Sequence, residues 1–244
     1  MEPIYSQNFE ITDLHVDCRG RMLPSKLLYL MQEVAGTHFE KLSMDYEALA
    51  QRGLFWAITR NKVQITRLPM SGETIRLETW PMPTTRVAYP RSIVAYDEEG
   101  HEVFRSITLW VLMDLNNRSM ILPGKSGIDV AGTLRGNELA SPLGLPARTL
   151  ENRSSRSVRF TDLDRNGHMN NTRYMDWIWD LLPGDFHAEH NLRELTLCYL
   201  NEAREGQQLD MAWGFGEEGI LHVDAHRTSE EKDERIFAAK ILFD

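Results

Sequence analysis

The chain has 244 residues, 42% of them apolar, and a formal net charge of −9. That length allows one large domain or two small ones, and the apolar content is enough for a core in either case. The negative balance argues against bulk nucleic-acid binding, and the longest apolar run, around Leu109-Trp110-Val111-Leu112-Met113, is too short to span a bilayer.

Met1 to Gln7 carry neither a basic n-region nor an apolar h-region, so no secretory signal is expected. Two cysteines in a chain of this size point to a reducing compartment, the cytoplasm. Cys18 and Cys198 read as small core or turn residues.

A strand is expected over residues 4–16, followed by the polar turn Asp17-Cys18-Arg19-Gly20-Arg21-Met22. A helical pattern runs from about residue 25 to 52 and breaks near Ser43-Met44-Asp45. Strands follow over residues 55–68, 73–81, 86–96 and 101–115. Pro69-Met70-Ser71-Gly72 separates the first two, and Asp97-Glu98-Glu99-Gly100, a hairpin signal, separates the last two. Residues 116–152 are rich in Gly, Pro, Ser and Leu and read as connecting chain.

A strand at residues 157–161 then leads into Asp164-Arg165-Asn166-Gly167-His168-Met169-Asn170-Asn171. Alternate residues of an extended segment point the same way. Asp164, Asn166 and His168 therefore converge, and a carboxylate, a carboxamide and an imidazole in one small volume suit carbonyl chemistry. The Asn pair caps a following helix, in which Tyr174, Ile178, Leu181 and Leu182 share helical spacing until Pro183-Gly184 ends it. Trp177 and Trp179 read as core or interface. His187 and His190 have a ligand-like spacing but no third ligand, so a surface loop and no metal are expected. Strands are expected over residues 192–201, 208–215, 221–228 and 235–243, with Gly216-Glu217-Glu218-Gly219 as a turn. Leu221, Val223 and Ala225 alternate with His222, Asp224 and His226, a half-buried strand with both histidines partly exposed.

The two halves repeat one layout. Asp17, Gly20 and Met22 fall under Asp164, Gly167 and Met169, and Ser25-Lys26 falls under Thr172-Arg173. Residues 63–72 match residues 197–206 in shape, each a strand that ends in a polar turn with Gly. In this register Arg19 replaces Asn166, Arg21 replaces His168 and Leu68 replaces Glu202. The first copy has lost the candidate chemistry and the second has kept it. A helix followed by an antiparallel meander, twice over, is an α+β pattern. The fold expected is a tandem, or double, hotdog: two antiparallel sheets, each wrapped on a central helix. Residues 1–130 form the first unit, 131–152 a linker and 153–244 the second unit.

These residues resemble the acyl-acyl carrier protein (acyl-ACP) thioesterase family, the bacterial relatives of the plant plastid enzymes. The resemblance runs over nearly the whole chain, through Phe55-Trp56-Ala57-Ile58-Thr59-Arg60, the stretch from Val63 to Pro81, Trp110-Val111-Leu112-Met113, the motif from Asp162 to Asn171, and Tyr199 to Gly206. D-x-N-x-H-x-N-N followed by Tyr199-x-x-Glu202 is its specific combination. It implies a double hotdog that hydrolyses fatty acyl-ACP, with the acyl pocket in the first unit and catalysis in the second. Carried over by position, the catalytic groups are Asp164, Asn166, His168 and Glu202. The plant members have a Cys immediately after the Glu, and this chain has Ala203, so a thiol nucleophile is absent at that position.

On this reading Glu202 activates water, Asn166 and His168 place the water and the thioester carbonyl, and Asp164 orients them. A rival assignment makes Asp164 the base or nucleophile. Backbone N–H groups at the start of the Asn171 helix form the oxyanion hole. Leu27, Leu30, Met31 and Val34 on the long helix are candidate walls of the acyl pocket. Arg153, Arg156 and Arg159 are a candidate docking patch for acidic acyl carrier protein. No cofactor is expected, and either a monomer or a homodimer fits. Competing readings are hydrolysis of acyl-coenzyme A esters, a hotdog dehydratase or hydratase with a different His motif, and a non-catalytic acyl-binding module.

Overall fold

The computed structural model of the protein describes residues 3–136, 138–228 and 233–244. The chain divides into two compact units, Met1–Pro142 and Leu143–Asp244. The first contains β1 (Tyr5–Glu10), α1 (Pro24–Lys41), α2 (Tyr46–Ala50), β2 (Leu54–Ile65), β3 (Thr74–Pro81), β4 (Tyr89–Tyr96), β5 (Glu102–Asp114), β6 (Met120–Ile121) and α3 (Pro123–Ser126). The second contains β7 (Asn152–Ser157), α4 (Arg173–Trp179), α5 (Gly184–Glu189), β8 (Leu192–Tyr199), β9 (Gln208–Phe215), β10 (Leu221–Thr228) and β11 (Asp233–Phe243).

In the first unit the antiparallel strands lie in the order β1-β3-β4-β5-β2, with β6 pairing β5. In the second the order is β7-β9-β10-β11-β8. Numbered within each unit, the two sheets have the same topology, and each unit is a hotdog. Pro24 opens α1, where its fixed φ fits the first helical turn. Leu27, Leu30, Met31 and Val34 recur at helical spacing and are buried against the sheet. The helix stops at Lys41, the chain turns through Ser43 at φ 56°, and Asp45 starts α2 by accepting the Ala48 N–H at 2.8 Å. The break thus falls where the sequence places it.

The repeat is written in backbone hydrogen bonds. Asp17 and Arg21 exchange a bond at 2.8 Å from the Asp17 N–H to the Arg21 carbonyl, and Asp164 does the same to His168 at 2.8 Å. Gly20 (φ 76°) and Gly167 (φ 75°) close the two turns in the left-handed region that glycine tolerates. The Met22 N–H donates to the Pro69 carbonyl at 2.8 Å, and the Met169 N–H donates to the Ala203 carbonyl at 2.8 Å. Pro69 and Ala203 are the residues that follow Leu68 and Glu202, so the register read from sequence is the register of the fold.

Three expectations are corrected. The strand expected at residues 157–161 lies earlier, at Asn152–Ser157, and the chain bends through a 3₁₀ turn at Phe160–Asp162. Its sequence NRSSRS has no apolar alternation; it is held by backbone pairing to β9 and by polar side-chain contacts such as Asn152 to the Trp213 carbonyl at 3.2 Å. The helix after the motif ends at Trp179, and a separate short helix, α5, follows Pro183. His222 is buried, at 8% exposure, and not partly exposed.

The expected linker at 131–152 is not a free connection. Its first part belongs to the first unit: Thr133 donates to the Pro81 carbonyl at 2.8 Å, Arg135 lies over the Trp80 ring at 4.8 Å and pairs with Glu78, and Leu139 packs on Ala88, Ile107, Leu109 and Val111. From Leu143 onward the segment lies on the second unit, where Arg235 donates to the carbonyls of Leu145 and Pro146. The reason is geometric. Each sheet has two faces, one helix covers only one of them, and the apolar side chains on the other need a cover. Among the described residues no helix is long and apolar enough to cross a membrane.

Candidate active site

The motif loop builds its own frame. The Asp164 carboxylate accepts the backbone N–H groups of Asn166 at 2.8 Å and His168 at 3.2 Å, and its other oxygen lies 3.4 Å from the Asn166 side-chain nitrogen. Leu163 and Met169 bridge across the base of the loop. The bond from Met169 to the Ala203 carbonyl then fixes the loop against the chain leaving β8. Glu202, next to that carbonyl, is thereby placed so that its Oε2 is 3.1 Å from His168 Nε2. The imidazole side chain is 12% exposed and the glutamate 39% exposed. A mostly enclosed ring thus presents one nitrogen to a carboxylate that meets solvent, a pairing suited to activating water. Asn166 is exposed beside them.

The first copy shows which part of this arrangement is frame and which is chemistry. Asp17 accepts the N–H groups of Arg19 at 2.8 Å and Arg21 at 3.0 Å, as Asp164 does for Asn166 and His168. An Asp with the same two bonds, in a loop without His or Glu, marks this carboxylate as a loop former. Arg21 turns back on its own Asp17, Nε to Oδ2 at 3.6 Å, whereas His168 turns to Glu202. Asp17→Asn and Arg21→Ala are accordingly expected to leave turnover within a few-fold of wild type. Steady-state hydrolysis assays of both variants check this, and a loss matching that of His168→Ala would place chemistry in the first copy.

Behind the pair lies a set of groups of which helical spacing singled out Tyr174 alone. Tyr174 stacks on Phe237 at 4.7 Å and is tilted against Tyr199 at 6.0 Å. Burial pushes the Tyr174 phenol above its usual range, opposed by the charge of Arg227 and reinforced by that of Glu202. Arg227 donates to the Glu202 carbonyl at 3.3 Å and to Gln207 Oε1 at 2.7 Å, and it pairs with Glu234. Tyr199 donates its hydroxyl to the Asn171 carbonyl at 3.2 Å, tying the start of the Tyr-x-x-Glu element to the motif. The helical spacing of Tyr174 and the spacing of Tyr199 and Glu202 were the signals for this layer, and the rest depends on β10 and β11.

The helix start is less open than expected. Asn170 Oδ1 accepts from the Thr172 N–H and hydroxyl, both at 2.9 Å, and Arg173 and Met175 donate to the carbonyls of Asn170 and Thr172. Thr172, and not an Asn, is the residue before α4. These amides are satisfied locally, and among the described residues the Asn171 amide has no such partner.

The three arginines do not make one patch. Arg153 and Arg156 are three apart on β7 and so point to opposite faces. Arg156 pairs with Asp180 at 2.8 Å and lies over Trp177 at 5.1 Å, while Arg153 donates to backbone carbonyls. Trp177 is buried, and Trp179 stacks on His187. His187 Nε2 lies 3.0 Å from the Trp179 carbonyl and His190 Nδ1 lies 3.0 Å from the Asp244 carbonyl, so one ring ties down the end of α4 and the other the C-terminal residue. No group of three or more His, Cys, Asp or Glu that could hold a metal occurs among the described residues.

A buried polar row in the first unit was also not foreseen. Arg91, Thr108 and Asn61 are cross-strand partners on β4, β5 and β2, each nearly inaccessible. Arg91 Nη1 contacts His38 Nδ1 at 3.0 Å and Thr79 Oγ1 at 3.1 Å, and its guanidinium lies over Phe39 at 4.2 Å. Burial pushes the Arg91 pKa down. A charged residue inside an apolar strand gives no periodic sign of its burial.

The chain is similar in sequence and fold to known proteins. The family model for the acyl-ACP thioesterase N-terminal domain matches residues 2–122, and that for the C-terminal domain matches residues 147–244. A chloroplastic palmitoyl-acyl carrier protein thioesterase of Gossypium hirsutum is 25% identical over 82% of this chain and 52% of its own length. A chloroplastic oleoyl-acyl carrier protein thioesterase of Coriandrum sativum is 24% identical over 84% of this chain and 61% of its own. The chain therefore spans between about half and three fifths of these relatives. Among solved structures, an acyl-ACP thioesterase from Bacteroides thetaiotaomicron superposes with a TM-score of 0.85 at 23% identity, covering 99% of this chain and 98% of that one. A 12:0-ACP thioesterase from Umbellularia californica gives 0.83 at 20% identity, covering 100% and 98%. At these identities the structural matches speak for the fold.

Proposed function

Because the chain belongs to the acyl-ACP thioesterase family, we propose that it hydrolyses the thioester of fatty acyl-ACP to a free fatty acid and the carrier thiol. The observation that carries this reading is the His168–Glu202 pair at 3.1 Å, present in the second copy and replaced by Arg21 and Leu68 in the first. Glu202 takes a proton from water as that water attacks the thioester carbonyl. His168 orients the glutamate and the incoming oxygen, and Asn166 donates to the substrate from the exposed rim. Asp164 holds the loop that presents both. The Asn171 amide is the oxyanion donor that best fits the loop, because the Thr172, Arg173 and Met175 amides are already bonded.

The acyl chain is assigned to the first unit, where Leu27, Leu30, Met31 and Val34 offer an apolar face. Arg153 and Arg159, both exposed, remain candidates for contact with acidic acyl carrier protein. Among the described residues neither Cys18 nor Cys198 is in a disulfide, in keeping with a cytoplasmic setting. A hydrolysis screen of acyl-ACP and acyl-coenzyme A across chain lengths tests the reading. The expected result is a kcat/KM for one range of acyl-ACP lengths well above that for the matching coenzyme A esters. Equal rates on both carriers would assign the activity to acyl thioesters in general, and no hydrolysis of either would leave an acyl-binding role.

A further inference from the structure

We propose that a cleft in the second unit, between β10, β11 and residues 145–148, binds a phosphorylated small organic molecule at a site separate from the thioester chemistry. The cleft has a volume of about 690 Å³. His222 and Lys240 are direct cross-strand partners on β10 and β11, so their side chains share one sheet face. Arg148 reaches the same space from the covering segment, whose position is fixed by its own N–H donating to Asp224 Oδ2 at 3.3 Å and by the bonds of Arg235 to the Leu145 and Pro146 carbonyls.

The charges in this cleft do not balance internally. Arg235 is paired with Asp224. Arg148 and Lys240 have no carboxylate partner among the described residues, and among those residues Glu218 is the other acid in the wall. His222, at 8% exposure, makes no hydrogen bond among the described residues, although it lines the cleft. Its ring sits against Gly216, where a Cβ would come within 3.2 Å of His222 Cδ2 and Nε2. Its imidazole lines the cleft and can donate to an acceptor that enters it. Burial first, then Arg148 and Lys240, hold the His222 pKa below its usual value, with Asp224 opposing them. A phosphate monoester answers these features: its oxygens can pair with Arg148 and Lys240 and accept a hydrogen bond from His222. The space exceeds that of a bare phosphate and lies within the roughly 300–1,000 Å³ of organic ligand sites, and Leu145, Pro146 and Ile220 supply apolar wall for the remainder of such a molecule.

This site does not depend on the proposed hydrolase activity. Isothermal titration of the full chain with inorganic phosphate, adenosine 3′,5′-bisphosphate and 4′-phosphopantetheine tests it, with the His222 ring followed by NMR. At least one organic phosphate is expected to bind with one-to-one stoichiometry and more tightly than inorganic phosphate; which one does identifies the body recognised. Arg148→Gln and Lys240→Gln should each weaken that binding by about tenfold or more while keeping the melting temperature and leaving acyl-thioester hydrolysis within about twofold of wild type. Because bound phosphate favours the protonated ring, the His222 titration followed by NMR should move to higher pH in the complex. Failure of all three phosphates to bind, affinities unchanged in both variants, or His222 resonances unmoved at saturation would overturn the site. Equal affinity for inorganic and organic phosphates would overturn recognition of an organic body.

Discussion

Glu202→Gln is expected to lower kcat by roughly 10²–10³, the scale of losing a general base. Gln keeps the size of the side chain and a contact with His168, but it cannot take a proton from water. His168→Ala should fall in the same range, since it removes the group that Glu202 Oε2 meets at 3.1 Å. Asp164→Asn should cost less. The amide oxygen of Asn can still accept the N–H groups of Asn166 and His168, and Asp17 makes the same pair of bonds where no catalytic group is present. Steady-state kinetics on the three variants gives the order. Single-turnover hydrolysis in ¹⁸O-labelled water adds a direct reading, with label expected in the released acid and none in the protein. Label in the Asp164 side chain would mean an anhydride at that residue and would displace Glu202 from its role.

Gly132→Ala is expected to destabilise the first unit by on the order of 3 kcal/mol, although only one methyl group is added. A Cβ at this position would overlap the backbone of Pro83 and Met82, which has no rotamer by which to retreat. The covering segment must then lift, which strains the neighbouring bond from Thr133 to the Pro81 carbonyl and the packing of Val130 on Leu49, Leu54, Tyr89 and Leu112. Gly36→Ala is the control with the opposite sign. Its site in α1 is open and its φ ordinary, so the substitution should stabilise the helix by about 0.5–1 kcal/mol. Chemical denaturation of the two variants measures both effects. A Gly132→Ala protein as stable as wild type would mean that residues 131–142 do not bear on the unit's stability.

Much of the architecture was legible because it is encoded locally. Helical spacing marked α1, alternation marked β10, and Gly with acidic residues marked the hairpin at residues 97–100. The paired occurrence of Asp, Gly and Met marked the two loops, and that register reappears as matching bonds from Met22 to Pro69 and from Met169 to Ala203. The strand β7 was displaced in the sequence reading because its residues carry no burial pattern. Its place is set by the exposed backbone edge of β9, which exists only once the sheet has formed.

The sequence by itself determined the chemistry available to this protein: which copy keeps His168 and Glu202, where the turns must close, and which helix face is apolar. These follow from side-chain identity and short-range periodicity, which act between neighbours in the chain. Tertiary structure alone decided what those groups touch. It brought Glu202 to His168 through a carbonyl contributed by Ala203, separated Arg153 from Arg156 across the two faces of a strand, and buried His222 against Gly216. Each outcome depends on which distant strand edge or sheet face remains uncovered, and that is a property of the assembled sheet and not of any stretch of the chain.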